Sequence, residues 1–339
     1  MDKTIKRLFI FLLSLIFFIL PNVALANTFY GSGQIKVHFI SVGHGDSIYI
    51  SLPENNDILI DGGYKSFGPA VVDYLNKQAV DDIEILIATH PHNDHIGGLE
   101  DVFNCFTVEK VVDNGNAVAT KTYKSYQKAV FTEGCAYERA SSQIWNFGPC
   151  IFKVWGPEQK YSNENNNSVV ALLDCGKVKF LFTGDAEKER EAELLNKPIA
   201  AKILKVGHHG SNTSTSPAFL KAVSPKVAVI STAVNYDFFG LPHQETLAKL
   251  AAAKVKVYRT DLDGTVVITS DGKTFIVNTE KGKFGDMNAD GNVNILDLLW
   301  MAARMGPTTN LDSQWADINN DDQVDILDLL TVAQNISNQ

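Results

Sequence analysis

Five of the eight histidines in this 339-residue chain fall in two short stretches, a clustering that histidines scattered through a core would not produce. The first, Thr89-His90-Pro91-His92-Asn93-Asp94-His95-Ile96-Gly97-Gly98, directly follows an apolar run over 83–88. Imidazole and carboxylate suit zinc, manganese or iron, and a loop at a strand's end lets several ligands converge from different backbone directions. His90 and His92 can serve one ion, while Asp94 and His95 point to a second. A later carboxylate, Asp185 in Thr183-Gly184-Asp185, follows another apolar run. One such group can bridge two cations roughly 3.5–4 Å apart, so that both polarise a shared hydroxide. Val206-Gly207-His208-His209-Gly210-Ser211 then offers a closing imidazole, and the sequence leaves open which of the two histidines supplies it.

Elements able to place these groups are legible around them. Alternating or continuous β-rich runs predict strands over 35–39, 47–52, 83–88, 169–173, 179–182, 227–230 and 265–269. Helical spacing covers 68–78, 187–195 and 244–253, so the class is α/β with many short strands. At 45% hydrophobic and 20% charged, the chain has ample apolar residues for packed cores, which excludes disorder throughout and a collagen-like chain. Of the net charge of −9, residues 283–339 carry −7, residues 1–26 carry +2 and the region between carries −4. The acidity is thus a property of the tail. Cys105, Cys135, Cys150 and Cys175 lack CxxC spacing; they can form two bridges in three connectivities or stand as buried thiols.

Residues 1–26 read as an export signal, with Lys3, Lys6 and Arg7, an apolar run over 8–20 and Ala24-Leu25-Ala26 as a cleavage site. The expectation is a secreted, extracellular protein: signal 1–26, hydrolase domain 27–281, and a tail domain 282–339 entered through Lys281-Gly282-Lys283.

The ordered set His-x-His-x-Asp-His, Gly-Asp and a distal His resembles the metallo-β-lactamase superfamily, an αββα sandwich with metals at its strand ends. Val42-Gly43-His44-Gly45-Asp46, Leu59-Ile60-Asp61-Gly62-Gly63, Asn165-Asn166-Asn167-Ser168 and the His-His-Gly-Ser block are similar to the hydrolase domain of ComEC-type competence DNA-uptake proteins. The resemblance implies His90, His92, Asp94, His95, Asp185 and a distal histidine, His208 or His209, as ligands of two divalent transition metals, Zn²⁺ or Mn²⁺. It also implies catalytic roles for Asp94, His208, His209 and Ser211, the last as a donor or general acid in the substrate pocket. Asp46 and Asp61 read as carboxylates that orient ligands or as turn residues, rather than as ligands themselves. The chain departs from the superfamily where a further histidine is expected, holding Asn165, Asn166, Asn167 and Ser168 there. The implied reaction is attack by metal-bridged hydroxide on a phosphodiester, as in a nuclease. A carbonyl substrate, as for an esterase or lactonase, and a non-catalytic binding component are the alternatives.

The tail contains two stretches at a 31-residue offset, beginning at Asp286 and Asp317. Oxygen ligands at loop positions 1, 3, 5, 9 and 12 are what calcium requires. They would come from Asp286, Asn288, Asp290, Asn294 and Asp297 in the first copy and Asp317, Asn319, Asp321, Asp325 and Asp328 in the second, with Asn292 and Gln323 at position 7. Each loop runs into a single apolar helix. The pair resembles a type I dockerin, which implies two Ca²⁺ and a cohesin module of a cellulosome-type scaffold as partner. Ile295, Leu296, Ile326 and Leu327 occupy the positions that touch cohesin in that family.

Overall fold

Short β-branched and aromatic runs build the strands. In chain order these are β1 (Ile35–Phe39), β2 (Ile48–Leu52), β3 (Asn56–Ile60), β4 (Asp82–Ile83), β5 (Ile85–Ala88) and β6 (Thr107–Val108). They continue with β7 (Lys110–Asp113), β8 (Ala136–Arg139), β9 (Ser142–Phe147), β10 (Cys150–Trp155), β11 (Val170–Cys175) and β12 (Val178–Phe182). Then come β13 (Ile203–Lys205), β14 (Val227–Ile230), β15 (Lys256–Arg259), β16 (Val266–Ser270) and β17 (Phe275–Thr279), and in the tail the short pair β18 (Gly306–Pro307) and β19 (Gln323–Val324). The computed structural model describes residues 33–233, 240–281, 294–308, 316–318, 321 and 323–337. The expected signal 1–26, Gly282, Lys283, Asp286, Asn288, Asp290, Asn292 and Asn319 lie outside the described residues.

One eight-stranded sheet has the order β17-β16-β1-β2-β3-β5-β7-β8, and a seven-stranded sheet has the order β15-β14-β13-β12-β11-β10-β9. Phe39, Phe152, Phe180 and Phe182 fill the space between them, each burial being worth about 1.5–3 kcal/mol. Helices Gly68–Lys77, Leu99–Cys105 and Lys121–Glu133 cover the outer face of the first sheet through Leu75, Val102 and Tyr126. Helices Lys188–Leu194, Pro217–Val223 and Gln244–Ala252 cover the second through Leu194, Phe219 and Leu250. The result is the expected αββα sandwich. It explains why β5 reads Ile-Leu-Ile-Ala without polar alternation: Ile85 and Ile87 enter the inter-sheet core while Leu86 and Ala88 lie under helices.

Two parallel sets decide where chemistry can occur. β3, β5, β7 and β8 run parallel in one sheet, and β12, β13, β14 and β15 in the other. Their C-terminal ends release the histidine- and aspartate-bearing loops. Cys150 and Cys175 face each other across β10 and β11 and form a disulfide, whereas Cys105 and Cys135 are free thiols. One bridge therefore replaces the alternatives of two bridges or none. In the tail, helices Ile295–Ala302 and Ile326–Ser337 pack around Met301, Val324 and Val332, with Ile276 of β17 against this small core. Asn294 and Asp297 cap the first helix reciprocally. Asp328 accepts from the backbone N–H of Asp325 and of Ile318, at 2.8 and 2.7 Å, tying its loop to its helix.

Candidate metal centre

The loop after β5 is held by the residue that follows β3. Asp61 is fully buried, and its φ of 58° turns the carboxylate back under the neighbouring loop. It accepts from Thr89 N at 2.8 Å and Thr89 Oγ1 at 2.6 Å, and its Oδ2 lies 2.7 Å from His95 Nδ1. Nδ1–H donating to that carboxylate leaves the lone pair of His95 on Nε2, facing inward. His209, after β13, is set in the same way by the Ser231 carbonyl, 3.0 Å from its Nδ1. Asp185, after β12, is seated by its own N–H donating to Ser168 Oγ at 3.1 Å. Gly45 and Gly184 make the approach possible. Any Cβ at Gly45 would lie 2.4 Å from the Asp94 carbonyl, and one at Gly184 would crowd Thr89 and Ser168.

Asp94, His95, Asp185 and His209 form one donor group, and His90, His92 and Asp185 form another. Asp185 is common to both, as a bridging carboxylate must be. His95 Nε2 stands 3.2 Å from Asp185 Oδ2, while His209 Nε2 stands 3.3 Å from Asp94 Oδ2 and 3.4 Å from Asp185 Oδ1. His90 Nε2 is 3.7 Å from Asp185 Oδ2 and 2.9 Å from His92 Nδ1. His95 Nε2, His209 Nε2 and Asp185 Oδ1 are buried without a well-formed hydrogen bond. Such atoms, aimed at one point, fit a divalent cation.

The electrostatics agree with that fit. Burial opposes charge on His95, but Asp185, Asp94 and Asp61 outweigh it and hold the imidazole well above its ordinary value. Burial likewise opposes charge on His209, and Asp185, Asp94 and Asp46 carry it up to about 10. Asp94 and Asp185 resist burial because the two imidazoles hold their carboxylates well below the usual range. His90 is kept neutral by burial and by the charge on His95. Protons on two imidazoles thus balance the carboxylates, and a dication can take their place.

The remaining expectations divide. His208 does not join these donor groups: its Nδ1 lies 3.1 Å from Glu187 Oε1 and 3.1 Å from Thr213 Oγ1. Both His208 and His209 have left-handed backbone, φ 49° and 51°, and their rings diverge to 6.3 Å between centroids. Ser211 is likewise occupied, with Oγ 2.9 Å from Thr213 Oγ1 and accepting from Thr213 N at 3.3 Å. It closes a turn. The asparagine run forms a 3-10 turn over Glu164–Asn167. Asn165 Nδ2 donates to Glu187 Oε1 at 2.9 Å, and Asn166 Oδ1 accepts from Glu187 N at 3.0 Å, fastening the turn to the following helix. His44 packs on His209, with ring centroids 4.3 Å apart. Lys205 escaped the sequence reading. It is fully buried, with Nζ 2.7 Å from Asp46 Oδ2 and donating to the Val206 carbonyl at 2.9 Å. A lysine inside the apolar stretch 203–206 was the available signal.

The family model described as the metallo-beta-lactamase superfamily matches residues 40–234, more than half of the chain. The chain belongs to that superfamily. It is of the ComEC type and ends in a type I dockerin domain, whose family model matches residues 280–337. It is 31% identical over 256 residues to ComE operon protein 3 of Bacillus subtilis, a match covering 69% of this chain and 33% of the relative. To Recombination protein 2 of Haemophilus influenzae it is 29% identical over 237 residues, covering 68% of this chain and 28% of the relative. The chain therefore spans a third or less of the length of these curated relatives. Among solved structures, the metallo-beta-lactamase fold protein YhfI from Bacillus subtilis matches at 12% identity with a TM-score of 0.49, covering 70% of this chain and all of that one.

Proposed function

We propose that the chain is an exported, metal-dependent phosphodiesterase that its tail attaches to a cohesin-bearing scaffold. The observation that carries this reading is the pair of donor groups sharing Asp185, with buried nitrogen and oxygen atoms left unsatisfied by the protein. His90, His92 and Asp185 would hold one divalent transition metal, Zn²⁺ or Mn²⁺, and Asp94, His95, His209 and Asp185 the other. Bound there, the pair supplies Lewis acidity and lowers the pKa of water toward neutrality. Asp61 and the Ser231 carbonyl keep the imidazoles aimed. His208, 26% exposed and backed by Glu187, stands outside the cluster as the proton donor to the departing oxygen.

The ComEC-type relationship favours phosphodiesters over carbonyl substrates. The −4 charge of residues 27–282 supplies no basic stripe, so a small or single-stranded phosphodiester fits better than tightly held duplex. In the tail, Asp297, Asp317 and Asp328 are buried carboxylates suited to two Ca²⁺. Ile295, Leu296, Ile326 and Leu327 are each about half exposed, an apolar surface suited to cohesin.

The test is turnover of bis(p-nitrophenyl) phosphate, single-stranded DNA and nitrocefin by the metal-loaded protein. Phosphodiester hydrolysis is expected, with Asp94→Ala and Asp185→Ala each lowering it by about 10²-fold or more. Turnover of nitrocefin alone, or phosphodiester turnover that both variants retain, would overturn the proposal.

A further inference from the structure

Helix Gly68–Lys77 leaves part of the first sheet's outer face open toward its β17 edge. Registers place Lys36 and His38 of β1 beside Thr269 and Val267 of β16, and Val267 beside Asn278 of β17. With Tyr74 and Gln78 as a side wall, these residues line a cavity of about 310 Å³. That volume is at the lower end of those that hold small organic ligands.

His38 is the distinctive group. It is only 3% exposed, its Nδ1 lies 2.8 Å from the Tyr74 hydroxyl, and its Nε2 makes no hydrogen bond within the protein. A buried, unsatisfied ring nitrogen costs stability unless something else satisfies it. It also lies apart in the fold from the metal centre, which uses loops at the C-terminal ends of strands. Among the described residues the lining has the Lys36 ammonium, the amides of Gln78 and Asn278 and the Thr269 hydroxyl, but no acidic side chain; Val267 adds an apolar wall.

We propose that this cavity is a second binding site, for a small hydroxylated molecule bearing one oxyanion, either a carboxylate or a phosphate ester. In the bound form the Tyr74 hydroxyl donates to His38 Nδ1, and Nε2–H donates to an oxygen of the anion. Lys36 supplies the opposing charge, and the amides of Gln78 and Asn278 take the hydroxyls. A neutral sugar of the same size lacks the group that Lys36 and His38 select.

Isothermal titration of the full-length protein with glucuronate, glucose 6-phosphate and glucose tests this. At least one of the two oxyanions is expected to bind at least tenfold more tightly than glucose, and comparison of the two distinguishes carboxylate from phosphate. Lys36→Gln, at a partly exposed position, should weaken that binding at least tenfold, and His38→Phe should abolish it. Because His38 is buried, Asn278→Ala provides an independent check and should weaken binding with an unchanged melting temperature. Phosphodiester turnover should be the same in all three variants, which separates failure of this site from failure of the metal centre. No binding of either oxyanion, binding of glucose with equal affinity, or oxyanion binding unchanged by Lys36→Gln and Asn278→Ala would overturn the proposal.

Discussion

Asp61 acts on the metal centre through a single proton. Asp61→Asn would present an amide N–H to His95 Nδ1, moving the ring hydrogen to Nε2 and turning the lone pair away from the cluster. Metal affinity should fall about 10- to 100-fold with the fold intact, as measured by competition with a chromogenic chelator. Lys205 makes the opposite kind of contribution, to stability rather than ligation. Removing it strands the Asp46 carboxylate, so Lys205→Met should cost about 3–5 kcal/mol in urea unfolding. A second change, Asp46→Asn, should restore part of that loss. An unaltered unfolding midpoint in Lys205→Met would show that the ion pair does not support the loop. In sequence Asp61 stood out through the Leu59-Ile60-Asp61-Gly62-Gly63 resemblance, as an orienting carboxylate or a turn residue. Its partner atoms did not, since Thr89 and His95 are 28 and 34 residues away.

Elements carry two further predictions. β10 and β11 are joined by Cys150–Cys175, which closes a loop with a sequence separation of 25. Reduction should cost about 3 kcal/mol, read as a lower melting temperature under reductant, with Cys150→Ser/Cys175→Ser behaving as the reduced protein. In β1, burial holds the His38 imidazole down to about 3, helped by the Lys36 charge. The unfolded chain takes up a proton near pH 6.5 that the folded chain refuses. This contribution is therefore fully present above pH 6.5 and is lost as pH falls toward 3, at about 1.4 kcal/mol per unit. Between pH 7 and 4.5, wild type should lose about 2–3 kcal/mol more than His38→Gln in urea titrations. Strands such as β1, β12 and β14 were legible because their apolar runs are nearly uninterrupted, whereas β8 and β9, with alternating or exposed residues, were not predicted. The predicted run over 83–88 is divided into β4 and β5 around Glu84, whose Oε2 accepts from Asp57 N at 2.6 Å.

On the scale of the whole molecule, the two halves of the tail present the same apolar pair, Ile295-Leu296 and Ile326-Leu327, at the starts of two helices packed on each other. If either face can dock, alanine at both residues of one repeat should leave cohesin affinity largely intact, and alanine at all four should abolish it in surface-plasmon titrations. Loss of binding from one repeat alone would reject two-faced docking. Of the net −9 charge, −7 lies in residues 283–339, outside the region that holds the candidate metal centre. The sequence alone determined the donor chemistry, an α/β class with many short strands and the repeated tail, because ligand type, apolar period and repeat offset are local properties of the chain; the αββα arrangement was implied by the family resemblance. Only the tertiary structure decided that His209 rather than His208 turns inward, that Cys150 pairs with Cys175, and that Lys205 answers Asp46. Those choices depend on backbone conformation and on which strand ends meet across the sandwich, and contacts between distant segments leave no period in a sequence.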